Sequence, residues 1–372
     1  MKINVLHVYK TCFPYSQGGI EEVIEQLCRA TTKLGISNKI VCISKQCKKK
    51  EVVETHDATI YCYPMSFEIA SCSFSWSLWL DFRDLSEWAD VIHYQFPWPF
   101  ADILALTRQK NSTPYIVSYQ SDVIRQKNLK KLYRPLMNKF LANAASIVAT
   151  SKNYIASSIV LSNLKGPIVC IPNGIDSKPA HNTYINEKRI YEKYYGNNFF
   201  LFVGVFRYYK GLEYLLEAAK KSGLEVVIAG EGPQTSEVKK FIKENDLRNV
   251  HLTGKVSDQQ KYALIDISKA FILPSSERSE AYGMVLVEAL RQGKAIISTE
   301  LGSGTSYINI HEDTGLVVSA KNASELASAM TYMAKNRHEV KQMCLSSKKR
   351  FEEHFTSEIM GSRYAELYKS VM

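Results

Sequence analysis

Two glutamates eight positions apart frame the stretch Glu280-Ala-Tyr-Gly-Met-Val-Leu-Val-Glu288. Gly283 between them suits a tight backbone approach, and Met284 to Leu290 reads as the start of a helix that is apolar on nearly every face. Such a helix is buried. An ionised carboxylate inside it is costly unless something pairs with it, so Glu288 calls for a partner or a ligand. Glu280 in the loop, backbone N–H groups at the helix start, and Glu288 a turn further in outline a ligand-sized hole. The plainer alternative is an acidic loop residue followed by a glutamate that reaches the surface.

A second constellation, Gly204-Val-Phe-Arg207-Tyr-Tyr-Lys210-Gly211, sets two cations beside a glycine and a helix start, a grouping that suits a diphosphate. Gly18-Gly19 follows the first strand and opens a helix, where N–H groups at the positive end would meet a phosphate; as a simple turn it needs no ligand. Polar residues also collect where two apolar runs end, at His93-Tyr94-Gln95 and at Tyr119-Gln120-Ser121-Asp122. Asp122, directly after a buried strand, stands out among them.

The elements that must position these residues alternate strand and helix along the whole chain. Strands fit 2–9, 39–44, 59–63, 91–94, 115–119, 147–150 and 168–171, then 199–203, 225–229, 250–252, 270–273 and 295–298. Helices in the second half fit 211–222, 234–245, 258–267, 284–292, 322–335, 337–353 and 356–370. Alternation of this kind makes a parallel sheet covered on both faces, with ligands at the carboxyl ends of the strands. Pro172 to Asp176 reads as a turn, and the polar segment running to Asn198 reads as a linker between two such sheets.

The chain has 372 residues and 45% hydrophobic content, enough for two domains with their own cores. No uninterrupted apolar run is long enough to span a membrane, and Met1 to Val5 leads into a strand without a cleavable signal pattern, so a cytosolic protein is expected. Its eight cysteines lack metal-site spacing and read as reduced core filler. Of the net charge of +10, residues 1–185 carry +7. Nothing resembles a zinc finger, an RNA-recognition strand pair or a helix-turn-helix, so nucleic acid is set aside as a partner. The excess lies largely on an amphipathic basic helix at 125–143, whose polar face suits an anionic membrane while its apolar face suits its own domain. Phe67 to Phe82 is rich in aromatics and reads either as core or as an interfacial patch.

With these residues in hand, the chain resembles the retaining glycosyltransferases of family 4, which have the GT-B fold: two Rossmann-like doubly wound α/β domains facing a cleft. The resemblance is carried by Gly18-Gly19, Pro172-Asn173-Gly174-Ile175-Asp176, Arg207 with Lys210-Gly211, Gly230-Glu231-Gly232-Pro233, Pro274-Ser275 and the span from Glu280 to Glu288. It is most similar to the mannosyl- and rhamnosyltransferases of O-antigen and polysaccharide clusters, for instance at Tyr9-Lys10-Thr11 and Phe96-Pro97-Trp98-Pro99-Phe100. The resemblance implies an acceptor-binding domain at 1–185, a nucleotide-sugar domain at 186–355, and a last helix, 356–372, packing back on the first domain.

It further implies that Arg207 and Lys210 neutralise the donor diphosphate and that Glu288 holds the ribose. Glu280 and the backbone of Ala281, Tyr282, Gly283, Met284 and Val285 would hold the donor sugar and phosphates. Gly19 joins the donor contacts, Val256 faces the base, and Asp258 and Lys261 match guanine-side contacts of relatives that use GDP-mannose. Gly18, His93 and Asp122 are acceptor candidates. No metal and no cofactor is required. Glu280, Arg207, Lys210 and Gln120 form the catalytic set, with Glu280 in a positioning and electrostatic role. Relatives usually carry a histidine where Gln120 stands, and glutamine can hydrogen-bond a sugar but cannot take up a proton. The implied reaction moves α-mannose from GDP-mannose to an undecaprenyl-diphosphate-linked saccharide on the cytoplasmic face of the inner membrane. The alternatives are another donor, a UDP-hexose or dTDP-rhamnose, or a weakly active sugar-nucleotide-binding subunit that supports a partner transferase.

Overall fold

The computed structural model describes residues 2–70, 72–110, 112–123, 127–177 and 184–372, with side chains at 127–132 left out. Two compact units emerge, one of residues 1–175 with 357–372 and the other of 176–356. The division at Ile175 precedes the boundary expected at 185.

In the first unit the strands are β1 (Ile3–Val8), β2 (Ile36–Ser44), β3 (Glu51–Glu54), β4 (Thr59–Pro64), β5 (Phe67–Ile69), β6 (Cys72–Phe74), β7 (Val91–Phe96), β8 (Tyr115–Tyr119), β9 (Ser146–Ala149) and β10 (Ile168–Cys170). The helices are α1 (Gly19–Thr32), α2 (Trp76–Trp88), α3 (Pro99–Thr107), α4 (Lys127–Ala142), α5 (Lys152–Ser157) and α6 (Ile159–Ser162). Eight strands form one sheet in the order β10-β9-β8-β7-β1-β2-β4-β3, parallel except for β3 at the edge. β7 and β8 are buried at every position, which is why they read as apolar runs without alternation. β5 and β6 make a separate two-stranded ribbon.

The second unit holds α7 (Ile185–Tyr195), β11 (Phe200–Val203), α8 (Leu212–Ser222), β12 (Val226–Ala229), α9 (Thr235–Glu244), β13 (Val250–Gly254), α10 (Asp258–Ile267), β14 (Ala270–Leu273), α11 (Met284–Arg291), β15 (Ile296–Glu300), α12 (Thr305–Ile308), β16 (Gly315–Ser319), α13 (Ala323–Lys335) and α14 (Arg337–His354). Its six strands are all parallel in the order β13-β12-β11-β14-β15-β16. The order reverses between β11 and β14, the place at which open sheets of this kind bind ligands.

The segment expected as a linker up to Asn198 is corrected by α7. None of its residues is fully buried, so its apolar period is faint, yet Lys188 pairs with Asp266 at 2.6 Å and Tyr195 packs edge-on against Phe199. These contacts hold a helix that its own sequence barely announces.

The last helix, α15 (Ser357–Val371), belongs to the first unit. Ser357 N donates to Ile175 O, and Gly361 lies against Ala30 of α1, where an added Cβ would sit 2.5 Å from the alanine's own. Only the absence of a side chain permits that approach. The basic helix is real in part: α4 buries Met137, Phe140 and Leu141 in its own unit and exposes Arg134 and Lys139. Arg125 lies outside the described residues.

Five of the eight cysteines are buried, and two pairs sit sulfur to sulfur, Cys12 with Cys42 at 2.8 Å and Cys47 with Cys62 at 3.0 Å. With Ile24, Ile40 and Ile60 they fill the core beside β2 and β4.

Candidate active site

The second unit brings the cations and carboxylates together at its strand-order reversal. After β11, a short 3-10 turn at Tyr208–Lys210 ends at Gly211, whose φ of 67° is left-handed. A Cβ there would lie 2.0 Å from Pro274 O, so glycine alone lets this loop pack on the loop leaving β14. Ser276 N then donates to Tyr209 O across the same junction.

The result is an ion pair between residues seventy positions apart. Lys210 Nζ donates to Glu280 Oε2 at 2.6 Å, and Ser275 Oγ donates to the same oxygen at 2.9 Å. Both side chains of the pair are about nine-tenths buried, where attraction between opposite charges is far stronger than in water. Among the described residues Oε1 of Glu280 has no hydrogen bond, which leaves it free to accept from a ligand hydroxyl. Arg207 is exposed on the same loop, and among the described residues no carboxylate pairs with it.

Gly283 precedes α11 with a φ of 89°, and the helix is buried from Leu286 to Arg291. Its first-turn N–H groups have no partner within the helix apart from Leu286 N, which donates to Gly283 O. They face the positive end of the helix dipole. Tyr282 is buried and its loop is fastened by Gly304, whose N donates to Ala281 O and whose lack of a side chain makes room for the tyrosine ring.

Glu288 is 4% exposed and does not reach the surface. Its partner is Lys261, whose Nζ lies 2.5 Å from Oε1 and 3.0 Å from Asp258 Oδ1. Burial alone would pull the Lys261 ammonium down, but the Glu288 and Asp258 charges outweigh it and hold the ammonium above its ordinary value. Tyr262 and Arg291 complete the pocket, the guanidinium lying 4.8 Å from the ring centre. Asp258 itself is largely exposed at the start of α10, a helix begun by the reciprocal Ser257–Gln260 cap. Val256 lies half-buried in the turn just before that cap. Sequence reasoning missed Ser275, Tyr262 and Arg291 as members of the site. For Ser275 the Pro274-Ser275 step was a visible signal; the other two have none.

The first unit treats its candidates differently. Gln120 is 6% exposed, with Nε2 donating to Gln95 Oε1 at 2.9 Å and Oε1 accepting from Asn173 Nδ2 at 3.2 Å. One N–H and one lone pair of the amide remain for other partners. The chain of donors continues inward: Gln95 Nε2 and Ser118 Oγ meet His93 Nε2, Tyr364 OH meets Ser118, and His93 Nδ1 meets Tyr368 OH at 2.8 Å.

His93 is corrected from an acceptor contact to an interior fastening. It has no exposed surface and is locked beneath α15. Burial first, and the neighbouring His7 second, hold its imidazole well below the ordinary histidine range. His7 is likewise pushed down to about 4 by burial, only partly countered by its bond to Asn38. A depressed pKa means stability that is complete above pH 6.5 and is lost as pH falls toward 4, because the unfolded chain takes up protons that the folded one refuses. For His7 alone that is roughly 3 kcal/mol. Urea unfolding at pH 7 and pH 4.5 should show the loss, and His7→Gln should flatten it.

Asp122 also turns inward: Oδ1 accepts from Tyr119 OH at 2.9 Å and Ser158 Oγ at 2.7 Å. Gly19 begins α1 and Gly18 caps it in an extended conformation. The open anion hole expected there is corrected by Glu21, whose carboxylate lies at this helix start, held by Thr11 and Ser16 at 2.8 and 2.9 Å. A phosphate placed there would face that carboxylate.

Residues 17–178 match the glycosyltransferase family 4 model, and residues 184–350 match the glycosyl transferases group 1 model. Over all 372 residues the chain is 39% identical to O-antigen chain mannosyltransferase C of Escherichia coli, covering 99% of that protein. The chain belongs to glycosyltransferase family 4. This glycosyltransferase is also 40% identical to the D-rhamnosyltransferase WbpZ of Pseudomonas aeruginosa, over 95% of its own length and 93% of the relative's. Its fold is GT-B. Sucrose-phosphate synthase of Thermosynechococcus elongatus superposes with a TM-score of 0.80 at 18% identity, covering 99% of each chain. The Anabaena protein HepE in complex with UDP gives 0.76 at 15% identity, covering 99% of this chain and all of that one.

Proposed function

We propose that this transferase moves α-mannose, with retention, from GDP-mannose to an undecaprenyl-diphosphate-linked saccharide during O-antigen or polysaccharide assembly. The observation that carries the donor half is the pair of buried ion pairs, Lys210–Glu280 and Lys261–Glu288, flanking the start of α11. Arg207 and Lys210 would meet the diphosphate as its charge grows on departure, and the α11 N–H groups would share that load. Glu280 Oε1 would hold the hexose and Glu288 the ribose hydroxyls. No step calls on a metal. In the first unit, Gln120 would offer its remaining amide valences to a saccharide without proton transfer. The O-antigen context is supported by the name of the Escherichia coli relative, and an anionic membrane face by the exposed Arg134 and Lys139 of α4. Among the described residues no helix is long and apolar enough to cross a membrane.

A second donor reading, rhamnose, is favoured by the rhamnosyltransferase relative, 40% identical against 39% for the mannosyl one. A thermal-shift screen separates nucleotide classes. GDP at a hundredfold excess over its Kd should stabilise the protein by about 2.7 kcal/mol. UDP or dTDP at equal concentration should do little; a larger shift with either would overturn the guanine assignment.

A further inference from the structure

The β5–β6 ribbon lies outside the main sheet and spends apolar side chains on solvent. Phe67 is 39% exposed and Ile69 59%, and at the start of α2 Trp76 and Leu80 are exposed by 63% and 61%. They form one patch: Phe67 lies 6.2 Å from Trp76, which meets Trp79 edge-on at 6.4 Å. The ribbon is not loose. Phe74 stacks under Phe67 and packs on Phe100, buried Trp98 donates its indole N–H to Ser73 O, and Ser66 Oγ accepts from Trp76 N. Three-residue strands are marginal alone, so the protein anchors this ribbon from below while leaving its outer face uncovered.

Cations border the patch. Lys45 pairs with Glu68 at 2.6 Å and Lys50 with Asp81 at 2.8 Å, which ties the Lys45–Lys50 segment to the ribbon and to α2. Lys48 and Lys49 between them are exposed and, among the described residues, have no carboxylate partner. Arg108 stacks on Trp79 at 4.4 Å and donates to the carbonyls of Trp79 and Leu80. Glu68 and Asp81 are thus offset by their own lysines, and the surplus is positive; Asp84 and Glu87 lie further along α2, the latter paired with Arg83.

We propose that this ribbon and the first turns of α2 dock on an anionic lipid bilayer, with Phe67, Ile69, Trp76 and Leu80 entering the headgroup boundary and Lys48 and Lys49 meeting acidic headgroups. Aromatic and aliphatic side chains ringed by lysine suit such a boundary, whereas protein interfaces are depleted of lysine. The inference deepens the lipid-linked acceptor reading and rests on it. The test contains no sugar or nucleotide, so its failure is distinct from failure of that reading.

Full-length protein should float with phosphatidylethanolamine/phosphatidylglycerol vesicles and much less with phosphatidylcholine, and the difference should shrink as salt rises. Ile69→Ser with Trp76→Ser should weaken binding about tenfold or more while leaving the unfolding temperature in place, because both residues are exposed. Trp76→Phe should restore binding and remove most of the quenching of tryptophan emission by brominated lipid. Lys48→Glu with Lys49→Glu should weaken binding to the acidic vesicles alone. Wild-type flotation by the serine variant would overturn the proposal, as would loss of flotation in Arg134→Glu with Lys139→Glu while the serine variant still binds. A lipid-free dimer that the serine variant abolishes would assign the patch to a second copy instead.

Discussion

Glu280→Gln should lower kcat by about 100- to 1,000-fold, with a much smaller change in KM for the donor. The substitution keeps the shape and the hydrogen bond from Ser275 but removes the charge that faces Lys210. Two consequences combine. The ammonium loses its only carboxylate partner among the described residues and is no longer held in one position, so it would meet the departing diphosphate less well ordered. The sugar loses an anionic acceptor at the point where positive charge develops. Steady-state kinetics with a saturating acceptor separate these effects from simple loss of binding. An unchanged kcat would remove Glu280 from the catalytic set.

Lys261→Met should act on the other ion pair and in a different way. Glu288 is more buried than Glu280, and removing its partner leaves an uncompensated interior carboxylate, costing about 3–5 kcal/mol of stability. The unpaired carboxylate is also no longer held in place for the ribose diol that it is proposed to accept from. GDP affinity should fall about tenfold or more by calorimetry. Adding Glu288→Gln should recover most of the stability, because the unpaired interior carboxylate is then gone, and should leave GDP affinity low. If the double variant bound GDP normally, Glu288 would not be the ribose ligand.

The parallel strands were legible because burial on both faces writes continuous apolar runs, as at Tyr115–Tyr119 and Ala270–Leu273. Glu288 was legible for the converse reason, a charge in an apolar helix, and Glu280 by its place in the loop just before it. What pairs with them was not, since Lys210 reaches Glu280 from a loop whose approach depends on Gly211, and Lys261 reaches Glu288 from α10, a separate helix. β5, β6 and α7 escaped because three-residue strands are shorter than any periodic signal and because α7 buries no complete side chain. His93 and Asp122 misled because a polar residue at the end of a buried strand looks the same in sequence whether it faces a ligand or a neighbouring tyrosine.

The most direct measurement is transfer of label from radiolabelled GDP-mannose to a synthetic diphospholipid-linked saccharide. Labelled lipid that is cleaved by an α-mannosidase and formed without added metal is the result expected for this transferase. Label arriving only from a UDP- or dTDP-sugar, or an inverted β-linkage, would contradict it.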